Sequence, residues 1–218
     1  MNEERALPKV FAGLPQDILS QIIVVDNGSS DRTAAVAASL GAMVVAEPRR
    51  GYGQACRAGL AHLAPDTDIV VFLDADGSDV PGEVERLLEP ILADEADLVI
   101  GSRVLGQAEL GALTWQQRWG NRLATTLIRL LFGFCYTDLG PFRAIRRARL
   151  HELAMQDRNY GWTVEMQLKA LRRGLRVQEV PVSYRRRVGQ SKISGTAKGA
   201  LLAGAKILWT IVRLRLSN

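Results

Sequence analysis

Cysteine and histidine are scarce in this sequence of 218 residues, which contains two of each. Cys56 and Cys135 stand among apolar neighbours, without a CxxC pair or a histidine at zinc-ligand spacing. His62 and His151 lie in helical patterns, again without a second ligand at a suitable spacing. The scarcity argues against a disulfide framework and a zinc site, and we interpret both cysteines as small core residues in a reducing compartment.

A secretory signal and a long apolar run are missing as well. The first five residues, Met1 to Arg5, are mostly polar or charged, and no apolar segment follows them. The most apolar stretch is 196–216, where Lys198, Lys206 and Arg213 intervene before about 18 apolar residues accumulate. We therefore expect a cytoplasmic protein, peripheral on the cytoplasmic face of a membrane, with a tail that lies in the membrane interface or in a contact between copies.

The charge balance favours anionic partners, because the net charge is +5. Over 114–132 a helical pattern places Arg118, Arg122 and Arg129 beside an apolar stripe that includes Trp119. Such a helix suits a membrane surface, and a helix packed on a sheet with solvated arginines is the alternative. Nucleic acid is disfavoured as a partner, because the arginines accompany carboxylates instead of forming one continuous basic face.

Short apolar runs alternate with helical patterns over the first three-quarters of the chain. Strands are predicted at 22–25, 43–46, 69–73 and 98–100, with helices between them. This alternation indicates an α/β fold, with a Rossmann-like, open, mostly parallel sheet flanked by helices. We expect one domain over 1–195, followed by a basic, apolar helix over 196–218.

Polar side chains stand where three of these strands end. Such sheets bind ligands beyond the carboxyl ends of their strands, which here carry Asp26 with Asn27, Asp74 with Asp76, and Arg103. The two aspartates of the second pair repel each other unless a cation lies between them, and Mg²⁺ or Mn²⁺ on a diphosphate is the natural partner. A simple turn that caps a helix is the alternative interpretation.

A short glycine pattern, Gly51-Tyr52-Gly53, lies at a predicted helix start. It is similar to a phosphate-binding loop, and Arg49 beside it suits an anion. Because patterns of this length are weakly specific, we treat Gly53 only as a candidate contact for a phosphate-bearing ligand.

Three motifs in fixed order carry a family resemblance. They are 24–31 (VVDNGSSD), 72–77 (FLDADG) and 100–103 (IGSR), and together they resemble glycosyltransferase family 2, whose members have the GT-A fold. The resemblance covers nearly the whole chain, so 1–195 is expected to be the GT-A domain.

Downstream segments narrow the resemblance to one branch of that family. TDLGPFR at 137–143, GWTVEMQ at 161–167 and the segment 179–192, which ends in RVGQSK, resemble dolichol-phosphate mannose synthases and polyprenyl-phosphate glycosyltransferases. The resemblance implies inverting, Mg²⁺- or Mn²⁺-dependent transfer of a hexose from a nucleotide-sugar donor to a polyprenyl phosphate. It does not specify the sugar.

The resemblance also implies roles for individual residues. Asp26 and Asn27 would contact the nucleoside, and Asp74 with Asp76 would hold the metal on the donor diphosphate. Four basic residues would handle the phosphates of donor and acceptor: Arg103, Arg143, Arg187 and Lys192.

Two carboxylates keep open roles at this point. Asp138 either orients the acceptor or an arginine, or acts as a base if the acceptor is a hydroxyl. A phosphate acceptor is already ionised at neutral pH and needs little help from a base. Glu165 is either a site carboxylate or a structural partner of Arg143 or Arg146.

The start of the chain departs from the family pattern. Family members begin with an apolar strand that leads into a Pro-Ala-x-Asn-Glu-Glu segment, whereas this sequence starts at Met1-Asn2-Glu3-Glu4. The absent strand would lie centrally in the sheet and form a wall of the base pocket. Either the assigned start is an internal methionine of a longer protein, or the chain is a true variant. The sequence therefore leaves two other functions open: transfer to a hydroxyl acceptor, and an inactive remnant that only binds nucleotide. It also leaves open whether the protein forms a homo-oligomer.

Overall fold

The computed structural model describes residues 1–189 and 197–216. The strands are β1 (Ile23–Asp26), β2 (Met43–Ala46), β3 (Ile69–Phe72), β4 (Leu98–Ser102), β5 (Arg143–Arg146) and β6 (Val177–Pro181). The helices are α1 (Leu7–Gly13), α2 (Thr33–Ser39), α3 (Tyr52–Leu60), α4 (Val84–Leu92), α5 (Trp115–Phe132), α6 (Arg147–Leu153), α7 (Trp162–Arg172) and α8 (Ala197–Leu216).

The strands form two sheets, and the predicted α/β fold is confirmed. β1 and β2 pair in parallel, and the second sheet has the order β3-β5-β4-β6. In this sheet β4 and β6 are parallel, but β5 lies between β3 and β4 and runs antiparallel to both. The sheet therefore has fewer parallel strand pairs than expected. The sequence of β5, Arg-Ala-Ile-Arg, has a charge at each end and did not predict a buried strand.

The two sheets are separated by an interruption between β1 and β3. Within the described residues, β1 pairs only with β2, and β3 pairs only with β5, so each has one edge without a strand. Each of these open edges presents backbone N–H and C=O groups without a strand partner among the described residues.

Helices on both faces connect the sheets across this interruption. On one face, Phe11 of α1 packs in a cluster that includes Val24 of β1 and Ala75 just after β3. On the other, α3 contacts β1 at Gly59, where an added Cβ would lie 3.1 Å from the Val25 side chain, and Leu60 reaches the core beneath β3. Packing of these helices therefore replaces strand pairing here.

The main core lies between the four-stranded sheet and helices α5, α7 and α8. Trp162 of α7 is 1% exposed and meets Phe72 of β3 edge to face. From α8, Ile211 and Leu214 enter the same cluster, so the described part of the tail shares the core of the rest of the chain.

Among the described residues, every helix is too short or too polar to cross a bilayer. The expectation that both cysteines are core residues is wrong for Cys135, which is exposed.

Asp97 fixes the start of β4 with a set of arginines. It is 4% exposed and accepts a hydrogen bond from the Arg176 backbone N–H at 3.0 Å. The side chains of Arg149 and Arg146 lie 3.6 and 3.9 Å from its Oδ1. Burial alone raises the pKa of Asp97, but the hydrogen bonds and charge of Arg176 outweigh it and leave this pKa below its ordinary value.

We expect D97N to lower the free energy of unfolding by about 1–3 kcal/mol at pH 7, because several guanidinium groups lose a buried partner. Since the folded pKa of Asp97 lies below the unfolded value, its contribution is full above about pH 4 and is lost as the pH falls through the folded pKa. Urea unfolding at pH 7 and at lower pH measures both effects. E95Q removes an exposed carboxylate nearby and is the control; equal losses in the two variants would contradict the assignment.

Candidate active site

The turn after β3 brings three carboxylates together. Gly77 has φ +76°, which lets the chain turn back sharply after Asp76. The Ser78 N–H and hydroxyl donate to Asp76 Oδ1. Asp79 Oδ2 accepts the Asp74 N–H at 3.3 Å, and Asp79 Oδ1 is buried without a hydrogen-bond partner among the described residues. Negative charge is therefore concentrated within one turn of chain.

The pKa values reflect this concentration of charge. Burial raises the pKa of Asp74 to about 6, and repulsion from Asp76 adds to the rise. Burial, followed by repulsion from Asp74, raises the pKa of Asp79 well above its ordinary value. A cation bound here would relieve both repulsions.

The donor set suits a hard divalent cation, although the protein does not complete its shell. Carboxylate oxygens are the ligands that Mg²⁺ prefers, and Asp79 Oδ1 is a buried acceptor without a donor. However, among 1–189 and 197–216 no group of three or more acidic, histidine or cysteine side chains is arranged to hold a metal ion. A cation at Asp74 and Asp76 therefore needs further ligands from phosphate or water, as Mg²⁺ sites in nucleotide enzymes usually do.

The segment that follows β6 lies directly over this turn. The Arg185 N–H donates to the Ser78 carbonyl at 2.7 Å, and the Val188 N–H donates to the Asp76 carbonyl at 2.9 Å. These backbone bonds bring the basic segment to the carboxylates, as the prediction of a shared site requires. The predicted Lys192 lies outside the described residues.

The consecutive arginines of this segment point in different directions. Arg185 and Arg186 are both exposed, and the Arg186 side chain donates from Nε to the Leu110 carbonyl at 2.8 Å. Only Arg187 turns inward, where its Nη1 lies 3.3 Å from Asp76 Oδ2. Arg187 is therefore the member of the triplet that adjoins the candidate metal site.

Arg103 and Asp138 form a buried, two-pronged ion pair beside the turn. Nε and Nη2 of Arg103 each lie 2.7 Å from an oxygen of Asp138, which is 1% exposed. The Leu139 N–H donates to the same carboxylate, and the Arg103 guanidinium lies 5.0 Å from the centre of the Tyr184 ring. Both carboxylate oxygens are engaged, so the geometry matches an Asp138 that orients an arginine and not one that acts as a base.

Arg143 lies beneath the site and not on its surface. It is 1% exposed, and its guanidinium donates to the carbonyls of Thr163 and Gly140. Burial lowers its pKa, and its Nε has no hydrogen-bond partner among the described residues. A surface phosphate does not reach this side chain in the described geometry, so Arg143 supplies a buried positive charge and not the predicted direct contact.

Glu165 is a structural carboxylate. It is fully buried, pairs with Lys169 at 2.8 Å, and accepts the backbone N–H groups of Gln156 and Asp157. It thus has a structural partner, but this partner is Lys169 and neither of the two arginines considered from the sequence.

Asp26 and Asn27 shape the end of β1. One oxygen of Asp26 accepts the backbone N–H three residues later, as in a turn. The Asn27 amide donates to the carbonyls of Glu47 and Arg49 at 2.7 and 2.8 Å, and its oxygen accepts the Gly51 N–H. Asn27 therefore holds the loop after β2, while the second carboxylate oxygen of Asp26 is not used in this turn.

Gly53 is required for close packing. Its N–H donates to the Asn159 carbonyl at 3.3 Å, and the next N–H, of Gln54, donates to the Arg158 carbonyl at 2.9 Å. A Cβ at Gly53 would lie 2.2 Å from the Asp157 carbonyl oxygen, a distance that no side chain tolerates. These amides are already bonded, so the structure does not support a phosphate loop at Gly53.

The family model for glycosyl transferase family 2 matches residues 1–154, which include the strand-end carboxylates and the Arg103–Asp138 pair. This chain belongs to glycosyl transferase family 2. It is therefore a glycosyltransferase, as the motifs predicted.

Relatives of this family 2 glycosyltransferase include proteins with lipid phosphates in their names. It is 40% identical over 208 residues to an uncharacterised glycosyltransferase of Mycobacterium tuberculosis, covering 93% of this chain and 90% of the relative. Identity is 33% over 204 residues to a dolichyl-phosphate hexose transferase of Haloferax volcanii (92% and 86% covered). It is 34% over 215 residues to a polyprenol monophosphomannose synthase of Mycolicibacterium smegmatis (89% and 78% covered).

A solved structure confirms the GT-A fold of this family 2 enzyme. Glucosyl-3-phosphoglycerate synthase of Mycobacterium tuberculosis, in complex with Mn²⁺, UDP and glucosyl-3-phosphoglycerate, superposes with a TM-score of 0.76 at 23% identity. The match covers 98% of this chain and 76% of the other. At this identity the likeness concerns the fold alone.

Three residues around the candidate site did not stand out in the sequence. Asp79 is the third carboxylate of the turn, and its nearness in sequence to Asp76 was the available signal. Glu179 accepts the backbone N–H groups of Thr137 and Asp138 and so fixes the position of Asp138. Glu3 pairs with Arg187 at 3.1 Å, a contact between residues at opposite ends of the chain that no local pattern reveals.

We expect D138N to lower the free energy of unfolding by about 3–5 kcal/mol, because Arg103 is left buried without its charged partner. Urea unfolding of the variant measures the loss, and D66N, which changes an exposed aspartate, is the control. If Asp138 were instead a base that the fold does not need, D138N would unfold like the wild type.

Proposed function

We propose that this enzyme transfers a hexose from a nucleotide-sugar donor to a polyprenyl phosphate, of the dolichyl or undecaprenyl type, with inversion at the anomeric carbon. The observation that carries the proposal is the alternation of charge at the strand ends. The carboxylates of Asp74 and Asp76 lie in the fields of Arg103 and Arg187. A site that receives a nucleoside diphosphate and a second phosphate needs such fixed cations. The names of two relatives support a lipid phosphate as acceptor.

Asp74 and Asp76 would hold Mg²⁺ or Mn²⁺ against the donor diphosphate. These two residues suit a divalent cation because carboxylate oxygens are hard ligands. Their mutual repulsion, which burial strengthens, also favours a cation between them. When bound, the cation offsets the charge that develops on the departing nucleoside diphosphate. Asp26, with one oxygen not engaged in its turn, would contact the nucleoside.

The acceptor phosphate would be placed by Arg187. An ionised phosphate is already a nucleophile, so the chain needs to hold it in line with the anomeric carbon and exclude water. Arg103 contributes positive charge while Asp138 fixes its guanidinium. A hydroxyl acceptor would need a base, and the engaged oxygens of Asp138 do not favour this alternative.

The outer surface of α5 and α8 is where we propose that the enzyme meets the cytoplasmic face of a membrane. Trp115 and Trp119 of α5 are 72% and 64% exposed, and Trp209 of α8 is 53% exposed. The cationic groups of Lys206 and Arg213 each lie 4.9 Å from the centre of the Trp209 ring. Exposed tryptophans beside cations suit an interface of anionic lipid, which also carries the acceptor.

The reaction is tested with purified protein, Mn²⁺, a panel of labelled UDP- and GDP-hexoses and a short polyprenyl phosphate. We expect labelled glycolipid from at least one donor, and a loss of about 100-fold or more in D76N, because the donor diphosphate loses its cation. D66N alters an exposed aspartate that precedes β3, at the end of the strand opposite to Asp74, and serves as control.

The absence of glycolipid from every donor would contradict the proposal. Metal-dependent binding of a nucleoside diphosphate without any transfer would instead identify a nucleotide-binding remnant. Transfer to a hydroxyl acceptor alone, with D138N inactive and R187A active, would identify the second alternative.

Membrane contact is tested with the double variant W119S/W209S. We expect about a tenfold weaker partition onto vesicles that contain phosphatidylglycerol, because two exposed indole rings are removed from the interface. L92S changes a leucine of α4 that is 72% exposed and is the matched control. Equal binding of all three proteins would exclude this surface as the membrane contact.

A further inference from the structure

The two oxygens of Asp76 are used in different ways. Oδ1 accepts the N–H and hydroxyl of Ser78, which fixes the carboxylate within its own turn. Oδ2 faces Arg187, whose Nη1 lies 3.3 Å away. Oδ2 is therefore the oxygen that a divalent cation would use, and in the described geometry a guanidinium stands beside it.

Arg187 is held there from two sides. Its Nη2 lies 3.1 Å from Glu3 Oε1, so one guanidinium bridges Glu3 and Asp76. The Glu3 and Arg187 side chains are 10% and 29% exposed, so the pair is screened only in part. Arg187 Nε is buried without a hydrogen-bond partner among the described residues, which marks this position as incompletely satisfied.

Glu3 itself is anchored independently of Arg187. Its backbone N–H donates to the Thr33 hydroxyl at 2.8 Å, at the start of α2. The preceding Asn2 donates from its backbone N–H to Ser29 at 2.9 Å, in the turn after β1. The backbone of Glu3 therefore keeps its place if the guanidinium moves, and its side chain stays near Arg187.

A cation and Arg187 compete for the same carboxylate oxygen. Two positive groups cannot share Asp76 Oδ2 at contact distance without strong repulsion. A divalent cation that binds Oδ2 must therefore displace the guanidinium. After displacement, Glu3 remains as a negative partner close by, so Arg187 does not return to solvent.

We propose that Glu3 is a positioning residue, which retains Arg187 beside the site when a divalent cation takes Asp76 Oδ2. Arg187 thus serves as the counter-ion of Asp76 before the metal binds and as a phosphate contact afterwards. This inference rests on the proposed function, because it takes Asp76 to be a ligand of the cation. It adds that metal binding and the position of the segment after β6 are coupled through Glu3.

The coupling is tested by a cycle of variants: wild type, E3Q, R187M and E3Q/R187M. Binding of Mn²⁺ alone is measured from the electron paramagnetic resonance signal of free Mn²⁺, and parallel titrations add UDP or GDP. E4Q is the matched control. It removes the same charge one residue along the chain, but Glu4 pairs with Arg32 at 3.5 Å and not with Arg187.

We expect R187M to bind Mn²⁺ about three- to tenfold more tightly than the wild type, because the competing charge is gone. E3Q should bind it about three- to tenfold more weakly, because the displaced Arg187 has no partner near the cation. In the R187M background, E3Q should change the affinity by less than about twofold. E4Q should match the wild type within about twofold.

Other results would overturn the inference. If Glu3 were a direct ligand or only a structural residue, E3Q would weaken Mn²⁺ binding by at least the same factor in the R187M background. An unchanged affinity in R187M would also contradict the competition. If the wild type bound no Mn²⁺ with or without nucleotide, the proposed metal site itself would fail. If the wild type bound Mn²⁺ and E3Q bound it equally well, the metal site would stand and only this inference would fail.

A second variant guards against misfolding of E3Q. E3D keeps the charge and the backbone bond to Thr33 but shortens the side chain, so its carboxylate no longer reaches Arg187. We expect E3D to weaken Mn²⁺ binding as E3Q does, with an unchanged thermal unfolding midpoint. Wild-type affinity in a folded E3D would show that reach to Arg187 is irrelevant.

Discussion

Repulsion among the carboxylates of the turn after β3 is the constraint to which the surrounding structure responds. Asp74, Asp76 and Asp79 lie within one turn of chain, and burial raises the pKa of the first to about 6. Such a cluster is stable only if positive groups are brought to it. Arg103 arrives from the end of β4, and Arg187 arrives on the segment that follows β6. The sheet thus places charges that are distant in sequence around one point.

Each of these charges is held by a further residue, which explains why the site extends deep into the fold. Asp138 fixes the guanidinium of Arg103, and Glu179 in turn fixes the backbone of Asp138. On the other side, Glu3 holds Arg187. These supporting residues touch no proposed ligand. A buried ion pair that is broken on one side leaves an unpaired charge, so the supports matter as much as the groups they hold.

The interrupted sheet gives the N-terminal segment an additional role. α1 packs on one face of β1 and reaches Ala75 beside the carboxylate turn, and Glu3 just before this helix reaches Arg187. The same short segment therefore packs across the interruption and contributes to the site. This links the stability of the two-stranded sheet to the electrostatics of the proposed metal centre.

Patterns that are local in sequence predicted the elements well. The strands at Met43–Ala46 and Ile69–Phe72, and the long helix that Thr114 caps, follow from apolar periodicity and capping residues. The strand at Arg143–Arg146 could not be predicted in this way, because its burial, which includes the charged Arg143, depends on pairing with its neighbours β3 and β4.

The candidate site likewise has features that the sequence predicted and features that only the tertiary structure revealed. Motif order and the apolar strand before Asp74 were enough to locate the carboxylates and to indicate the family. The use made of each polar group depended on contacts across the fold. Asn27 and Gly53 satisfy backbone groups of distant loops, Asp138 is committed to Arg103, and Arg143 is buried. Residue types are a property of the chain, but a hydrogen-bonding group is available to a ligand only if packing leaves it without another partner.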